Sequence, residues 1–181
     1  LVVKELNGLI SDINYQNGNT QLRCQRLSGK EKSGVQLHQL AAIIENTPEY
    51  LHLSGLDGQM NDSHLQGNVL MQYAFIDKNA APDAPASQFE LTDALLYSTD
   101  VQRLADLSFL KKNTRMQFHL SGKAWGNNHS MDLQNLFVGI NNTSQLRLSG
   151  QIKDLLLSEK TNLQAQIQEL TLSAADVAEL L

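Results

Sequence analysis

The chain has 181 residues, of which 41% are apolar and 6% aromatic, and it carries a formal net charge of −5. This length allows one domain with a sizeable core and does not require two. The acidic balance argues against a nucleic-acid partner, and no segment reaches the roughly 18 consecutive apolar residues of a membrane span. The single cysteine, Cys24, occupies an apolar position and is predicted to be a buried structural thiol.

The N-terminal third predicts paired strands. Residues 13–15 and 22–24 alternate apolar and polar side chains around Asn17-Gly18. Asn-Gly tolerates the positive φ angles of a tight turn, so this segment is predicted to be a β-hairpin. A second pair is predicted from residues 35–40 and 51–53 around a turn at 46–48, and a third strand from residues 64–75.

An exposed loop is predicted at residues 77–87, which contain two prolines and no apolar periodicity. This loop divides the chain into two halves of similar design, 1–76 and 88–181. The chain begins without Met and ends at Leu180-Leu181 inside an apolar pattern. We therefore expect residues 1–181 to be one β-repeat fragment of a larger protein.

A recurring pentapeptide is the strongest pattern in the sequence. It occurs at residues 51–55, 118–122 and 146–150, with a looser copy at 22–29. Each copy alternates apolar and polar residues and then reaches Ser-Gly. The pattern predicts a strand with one wet and one apolar face, followed by a turn at Ser-Gly.

In two places the spacing of apolar residues changes from the two-residue period of a strand to the period of a helix. After strand residues 89–91 and 94–96, a short amphipathic helix is predicted at about Thr99–Lys111, with Ser98 or Thr99 as N-cap. A second is predicted at about Ala174–Leu181. Asp100 and Asp176 occupy equivalent positions 76 residues apart, each after a strand, which indicates an internal repeat.

Four further strands are predicted between these helices, at residues 115–123, 130–140, 145–155 and 162–172. Consecutive strands joined by short turns form an antiparallel meander. The predicted fold is therefore mainly β: a meander of repeated strand units curled into a groove, an open barrel or a sandwich, with two short amphipathic helices.

The histidine and aspartate residues of the chain do not match the sequence motifs of known catalytic or metal-binding sites. The five histidines lack metal-ligand spacing, and His52, His119 and Arg147 occupy polar positions opposite the leucines. Asp100 and Asp176 are interpreted as helix-capping carboxylates rather than general acids. We predict no enzyme activity, no cofactor and no metal.

Three Asn-x-Ser triplets, at residues 61–63, 128–130 and 142–144, match the glycosylation pattern but receive no weight. Trp125, beside a Gly turn, is interpreted as a strand-end anchor rather than a sugar platform.

The order of these motifs resembles a known family. A strand, a Ser-Thr-Asp-Val-x-x-Leu helix, a Phe-His-Leu-Ser-Gly strand, Gly-Asn turns and a Leu-Arg-Leu-Ser-Gly strand precede a second copy of the helix motif. This arrangement resembles the envelope-spanning TamB and AsmA-like proteins of Gram-negative bacteria. Residues 29–34 resemble versions from Bacteroides-type organisms.

The resemblance implies a long β structure that crosses the periplasm from an inner-membrane anchor outside this sequence. It further implies phospholipid transport and outer-membrane biogenesis, including protein translocation and assembly. Partners would be phospholipid acyl chains and, through regions absent here, an outer-membrane barrel protein.

An apolar sheet face needs a cover, for which the candidates are a second sheet, the two helices or acyl chains. Two other functions are kept: a cell-surface β-sandwich that binds protein or glycan, and a structural spacer. The predicted lipid-groove lining consists of fourteen aliphatic residues that would equally suit the core of a closed sandwich: Leu37, Leu51, Leu53, Leu65, Val69, Met71, Leu120, Met131, Leu133, Leu146, Leu148, Ile152, Leu163 and Ile167.

Overall fold

The structure, a computed structural model, describes residues 3–31, 34–104, 115–156 and 161–180. All ten strands in these ranges belong to one antiparallel sheet, in which each strand pairs with its neighbours in sequence. The first and last strands are the two edges of an open sheet. The predicted mainly β fold, an antiparallel meander with two short helices, is confirmed.

The strands are long, and short turns join most of them. Their bounds are β1 (Val3–Gln16), β2 (Asn19–Glu31), β3 (Gln36–Asn46), β4 (Tyr50–Met60), β5 (Ser63–Gln72), β6 (Ser87–Tyr97), β7 (Gln117–Gly126), β8 (Ser130–Ile140), β9 (Ser144–Lys153) and β10 (Asn162–Thr171). Helix α1 (Ser98–Leu104) follows β6 and helix α2 (Ala174–Leu180) follows β10. A single 3₁₀ turn at Tyr73–Ile76 follows β5.

Most sequence predictions match these bounds. The Asn-Gly turn between β1 and β2 has φ angles of 51° at Asn17 and 82° at Gly18, as a tight hairpin requires. The strand predicted at 64–75 is shorter, because the chain leaves the sheet at Gln72 and turns. Residues 105–114, which include most of the first predicted helix, lie outside the described residues.

Each even-numbered strand has a β-bulge near the middle of its length, where it has one residue more than a neighbouring strand; β1 has two further bulges and β3 has one. In β4 the extra residue falls between Leu53 and Leu56, and in β6 it falls between Leu91 and Ala94. Strands β2, β8 and β10 have the same irregularity. A β-bulge bends its strand and increases its local twist. A row of bulges across alternate strands therefore bends the sheet along one line.

The prediction that the repeated Ser-Gly pairs end their strands is wrong. Gly55 lies inside the β4 bulge with a φ of 61°, and the strand continues to Met60. Gly122 and Gly150 likewise lie inside β7 and β9. A bulge needs a residue that tolerates unusual φ, and a close strand approach needs the absence of a side chain. Glycine meets both needs without ending the strand.

Gly150 shows the second need most clearly. A Cβ atom placed on it would lie 2.2 Å from the carbonyl oxygen of Gln164 on β10. Gly67 on β5 has the same relation to Glu90 on β6, at 2.0 Å. These glycines let neighbouring backbones approach where a side chain would keep them apart.

The fold contains two copies of one unit, β3–β6 with α1 and β7–β10 with α2. The loop predicted at 77–87 lies inside the first copy, between β5 and β6, which pair directly. Its side chains are mostly exposed, but its backbone is held by the β7–β8 turn. Asn128 Nδ2 donates to the Asp77 carbonyl at 2.6 Å, and Asn127 Nδ2 donates to the carbonyls of Pro82 and Ala84.

We predict that Gly150→Ala lowers the free energy of unfolding by about 2 kcal/mol, because the new methyl group forces β9 and β10 apart. Gly58→Ala is the matched control, since its Cβ would lie no closer than 3.8 Å to another side chain. It is expected to be neutral or stabilising by about 0.5 kcal/mol. Urea unfolding followed by circular dichroism measures both, and equal stability of the two variants would contradict the close-approach explanation.

Candidate functional site

The fourteen predicted lining residues lie on one face of the sheet, called the apolar face below. Residues directly opposite each other on paired strands share a face. One such row joins Leu53, Val69, Phe89, Ala124 and Leu133 on five consecutive strands. The remaining members follow from the same pairing, including a row of Leu65, Ala94, Leu120, Val138 and Leu146 and a row of Met131, Ile152 and Leu163.

The side chains of the apolar face are only partly protected from solvent. Met131 and Leu148 are buried, with exposures of 6% and 7%. Leu163 and Ile167 on β10 are each 56% exposed. The other ten residues are half-buried.

No second layer of strands covers this face within the described ranges. Each strand packs mainly against its sequence neighbours, with α1 against β6. The accessible surface of the chain is 11230 Å², whereas a compact monomer of this mass exposes about 8,700 Å². The excess is typical of a single open layer. At one end of the face the Phe75 ring from the 3₁₀ turn packs against Phe89, with centroids 5.3 Å apart.

The opposite face, called the polar face below, carries the predicted hydrophilic positions. His52 and His119 lie on it, as does Arg147, whose guanidinium is 5.1 Å from the centre of the Phe137 ring. Tertiary pairing also brings carboxylates to three histidines, which the sequence pattern did not indicate. These pairs are His52–Glu45 at 3.9 Å, His64–Asp93 at 3.1 Å and His129–Asp154 at 3.6 Å.

Asp100 in α1 is 4% exposed and forms a hydrogen-bonded cluster with the β4–β5 turn, called the Asp100 cluster. It accepts from Asn61 Nδ2 at 2.9 Å, from the Asp62 backbone N–H at 3.2 Å and from Ser63 Oγ at 2.8 Å. Ser63 Oγ in turn accepts from the Tyr97 backbone N–H at the end of β6. The carboxylate therefore ties the start of α1 to a hairpin turn about 38 residues earlier in the chain.

Asp176 in α2 repeats this arrangement with the β8–β9 turn, forming the Asp176 cluster. It accepts from Asn141 Nδ2 at 3.0 Å, Thr143 Oγ1 at 2.6 Å and Ser144 Oγ at 2.5 Å. Ser144 Oγ accepts from the Ser173 backbone N–H. The hydrogen bonds from Ser144 and Thr143 lower the pKa of Asp176 from its ordinary value of 3.8, and they outweigh the opposing effect of burial.

The capping interpretation of Asp100 and Asp176 stays a prediction, and the structure adds partners that it did not include. Both lie in the first turn of a helix, as predicted, but the partners described here belong to hairpin turns. The sequence signal is a pair of polar turns, residues 61–63 and 141–144, which overlap the Asn-x-Ser triplets at 61–63 and 142–144. Asn61 and Ser63 in the first turn donate to Asp100. Asn141, Thr143 and Ser144 in the second turn donate to Asp176.

Other predicted positions have simple environments. Cys24 is a free, buried thiol whose Sγ lies 3.3 Å from the Leu40 carbonyl oxygen, and burial raises its pKa. The predicted buried thiol is thus confirmed. Within the described ranges, no three His, Cys, Asp or Glu side chains are grouped as a metal site would require. None of the described helices combines the length and the apolar character needed to cross a membrane.

Five clefts in the described part of the chain have volumes of about 310 to 490 Å³, and none of the fourteen lining residues contributes to these five. One cleft of about 440 Å³ contains Trp125, which is 40% exposed. Trp125 is therefore at the end of a strand, as predicted, but its indole is open to solvent.

Comparison of the chain with models of protein families, with curated proteins and with solved structures finds no match.

We predict that Asp176→Asn destabilises the protein at pH 7 and that the difference from the unchanged protein shrinks below pH 3.8. The folded pKa of Asp176 is depressed, so its contribution is complete above the unfolded value of 3.8 and is lost as the pH falls through the folded value. Denaturant unfolding at pH 7, 5, 4 and 2.5, in about 0.15 M salt, measures this difference.

Asp93→Asn serves as the control, because its side chain is 63% exposed and its pair with His64 lies at the surface. It should change stability only slightly at every pH. A constant deficit of Asp176→Asn between pH 7 and pH 2.5 would show that the ionised carboxylate is not what the cluster stabilises.

Proposed function

We propose that this chain is a periplasmic segment of an AsmA/TamB-like protein and that its apolar face shelters phospholipid acyl chains during transport between the envelope membranes. In this proposal the protein acts without catalysis and supports outer-membrane biogenesis. A part of the protein outside this sequence would anchor it to the inner membrane, and an outer-membrane barrel protein would be a further partner.

The observation that carries the proposal is the continuity of the apolar face. Fourteen aliphatic side chains from strands β3 to β10 lie on it, and twelve of them are at least partly exposed. Monomeric soluble proteins rarely leave a contiguous apolar surface of this extent in water. The face therefore calls for an apolar occupant.

The dimensions and chemistry of the face suit acyl chains. Ten strands about 4.8 Å apart give a width of about 43 Å, whereas one acyl chain spans about 15 Å, half of a bilayer core. Transfer of about fifteen CH₂ groups to such a surface is worth on the order of 10 kcal/mol. Leucine, isoleucine, valine and methionine form a deformable surface, which is suited to lipid tails of varied length and unsaturation.

The edges of the sheet extend this argument. Leu163, Ile167 and Leu170 on β10 are more than half exposed, and they continue the rows that begin in the centre of the sheet. The apolar face thus continues to the edge strand without a polar border, as a path for lipid requires.

The structural-spacer function is the second candidate, and the Asp100 and Asp176 clusters favour it. Their repetition fixes each strand–helix unit to the hairpin before it. Such repetition is what a spacer of set length needs, even if nothing is carried.

A photocrosslinking pair on β10 tests lipid contact. Ile167 and Gln166 are adjacent and both exposed, but they project to opposite faces. With benzoylphenylalanine at each position and vesicles of phosphatidylethanolamine and phosphatidylglycerol, we expect at least about fivefold more lipid adduct at position 167. Mass spectrometry of the intact protein measures the adduct, and equal labelling at both positions would count against the proposal.

A charge pair separates lipid transport from a spacer function. Ile167→Asp places a carboxylate on the apolar face, where it must be desolvated under bound lipid, whereas Gln166→Asp places it on the polar face. Both variants should fold, since both side chains are exposed. We expect Ile167→Asp alone to reduce co-purified phospholipid, measured by lipid extraction. Unchanged lipid retention in a folded Ile167→Asp variant would favour the spacer.

A further inference from the structure

The polar face contains a cleft lined by Trp125, the single tryptophan of the chain. His52, Leu70, Gln88 and Trp125 lie directly opposite one another on four consecutive strands, β4 to β7. Three strand spacings place the two ends of this row about 14 Å apart. The cleft above the row has a volume of about 440 Å³, within the range of small-molecule sites.

The lining combines an aromatic surface with neutral hydrogen-bonding groups. Trp125 presents an indole that is 40% exposed, and Leu70 provides a half-buried apolar floor. The Gln88 side chain is exposed between them. An amide group both donates and accepts hydrogen bonds, and an exposed indole provides a flat apolar surface with one N–H donor.

The charged side chains Lys123 and Glu90 in the cleft form an ion pair with each other. Lys123 Nζ lies 2.7 Å from Glu90 Oε1, and Asn68 Nδ2 donates to the same carboxylate at 3.3 Å. The hydrogen bond from Lys123 is the largest of the effects that lower the pKa of Glu90. The formal charges of Lys123 and Glu90 thus face each other within the cleft, and the pair offers no net charge to a ligand.

We propose that this cleft binds a neutral oligosaccharide, so that the exposed Trp125 serves as the sugar platform that the sequence pattern did not favour. The apolar face of a sugar ring matches the indole, and its hydroxyl groups match the amide and imidazole groups along the row. An extended peptide is a poorer fit, because the cleft lies within the sheet, where no strand edge is free for β-augmentation. The site lies on the face opposite the proposed lipid surface and is independent of it.

Trp125 is the only tryptophan in the chain, so its fluorescence reports on this cleft alone. The purified chain is titrated with maltohexaose, cellohexaose, laminarihexaose and chitohexaose, with sialyllactose as an acidic comparison. We expect a saturable change with at least one neutral sugar and a dissociation constant between about 10 μM and 10 mM. No saturation by any neutral sugar up to about 10 mM, or saturation by sialyllactose alone, would overturn the proposal.

Variants locate the binding, measured by calorimetry because Trp125→Ala lacks the fluorophore. Trp125→Ala should weaken binding at least about tenfold, and Gln88→Ala about fivefold through loss of one hydrogen bond. Gln59→Ala, also an exposed glutamine on the polar face but outside the cleft, should stay within about twofold. Equal affinities of Gln88→Ala and Gln59→Ala, each with the circular dichroism spectrum of the unchanged chain, would overturn the assignment even if Trp125→Ala failed to fold.

Discussion

The structure depends on which residues of each strand project to the apolar face and which to the polar face. A shift of one residue along a strand moves every later side chain to the other face. The bulges introduce such a shift in every even-numbered strand, and also in β1 and β3. In β4, β6, β8 and β10 the sequence compensates by placing two residues that are polar or glycine between apolar ones at the bulge, as between Leu53 and Leu56 or between Leu133 and Leu136. Spacing and backbone irregularity therefore cancel, and the apolar side chains remain on one face through the bend.

A second constraint acts at the strand ends where the helices begin, after β6 and after β10. The seven described residues of each helix are too few to form a stable helix alone, and a buried carboxylate joins each helix to a hairpin turn. Ionised acceptors with several donors form strong hydrogen bonds, but a buried carboxylate without its donors is costly. The Asp100 and Asp176 clusters therefore couple helix position to the correct pairing of β4 with β5 and of β8 with β9. This coupling occurs once in each repeat, so it also keeps the repeats alike.

The two faces of the sheet have separate chemistry. The apolar face is aliphatic, continuous and only partly covered, and its side chains provide apolar contact area but no hydrogen-bonding groups. The other holds ion pairs, amides and clefts, and it offers directed hydrogen bonds around a single indole. Bulges and glycines shape both faces together, because they act on the backbone that the faces share. The alternation of apolar and polar residues determines which face each side chain occupies but not which residue occupies it. Many sequences can therefore form such a sheet.

The sequence by itself determined the strands, the Asn-Gly hairpin, the two helix starts, the internal repeat and the shared face of the fourteen aliphatic residues. These features follow from local periodicity and turn chemistry, which neighbouring residues encode. Only the tertiary structure decided that Ser-Gly lies within strands rather than at their ends, that Asp100 and Asp176 bond to distant turns, and that carboxylates lie beside His52, His64 and His129. Such relations depend on which strands become neighbours and in which register. Residues far apart in the chain meet only after that pairing is made.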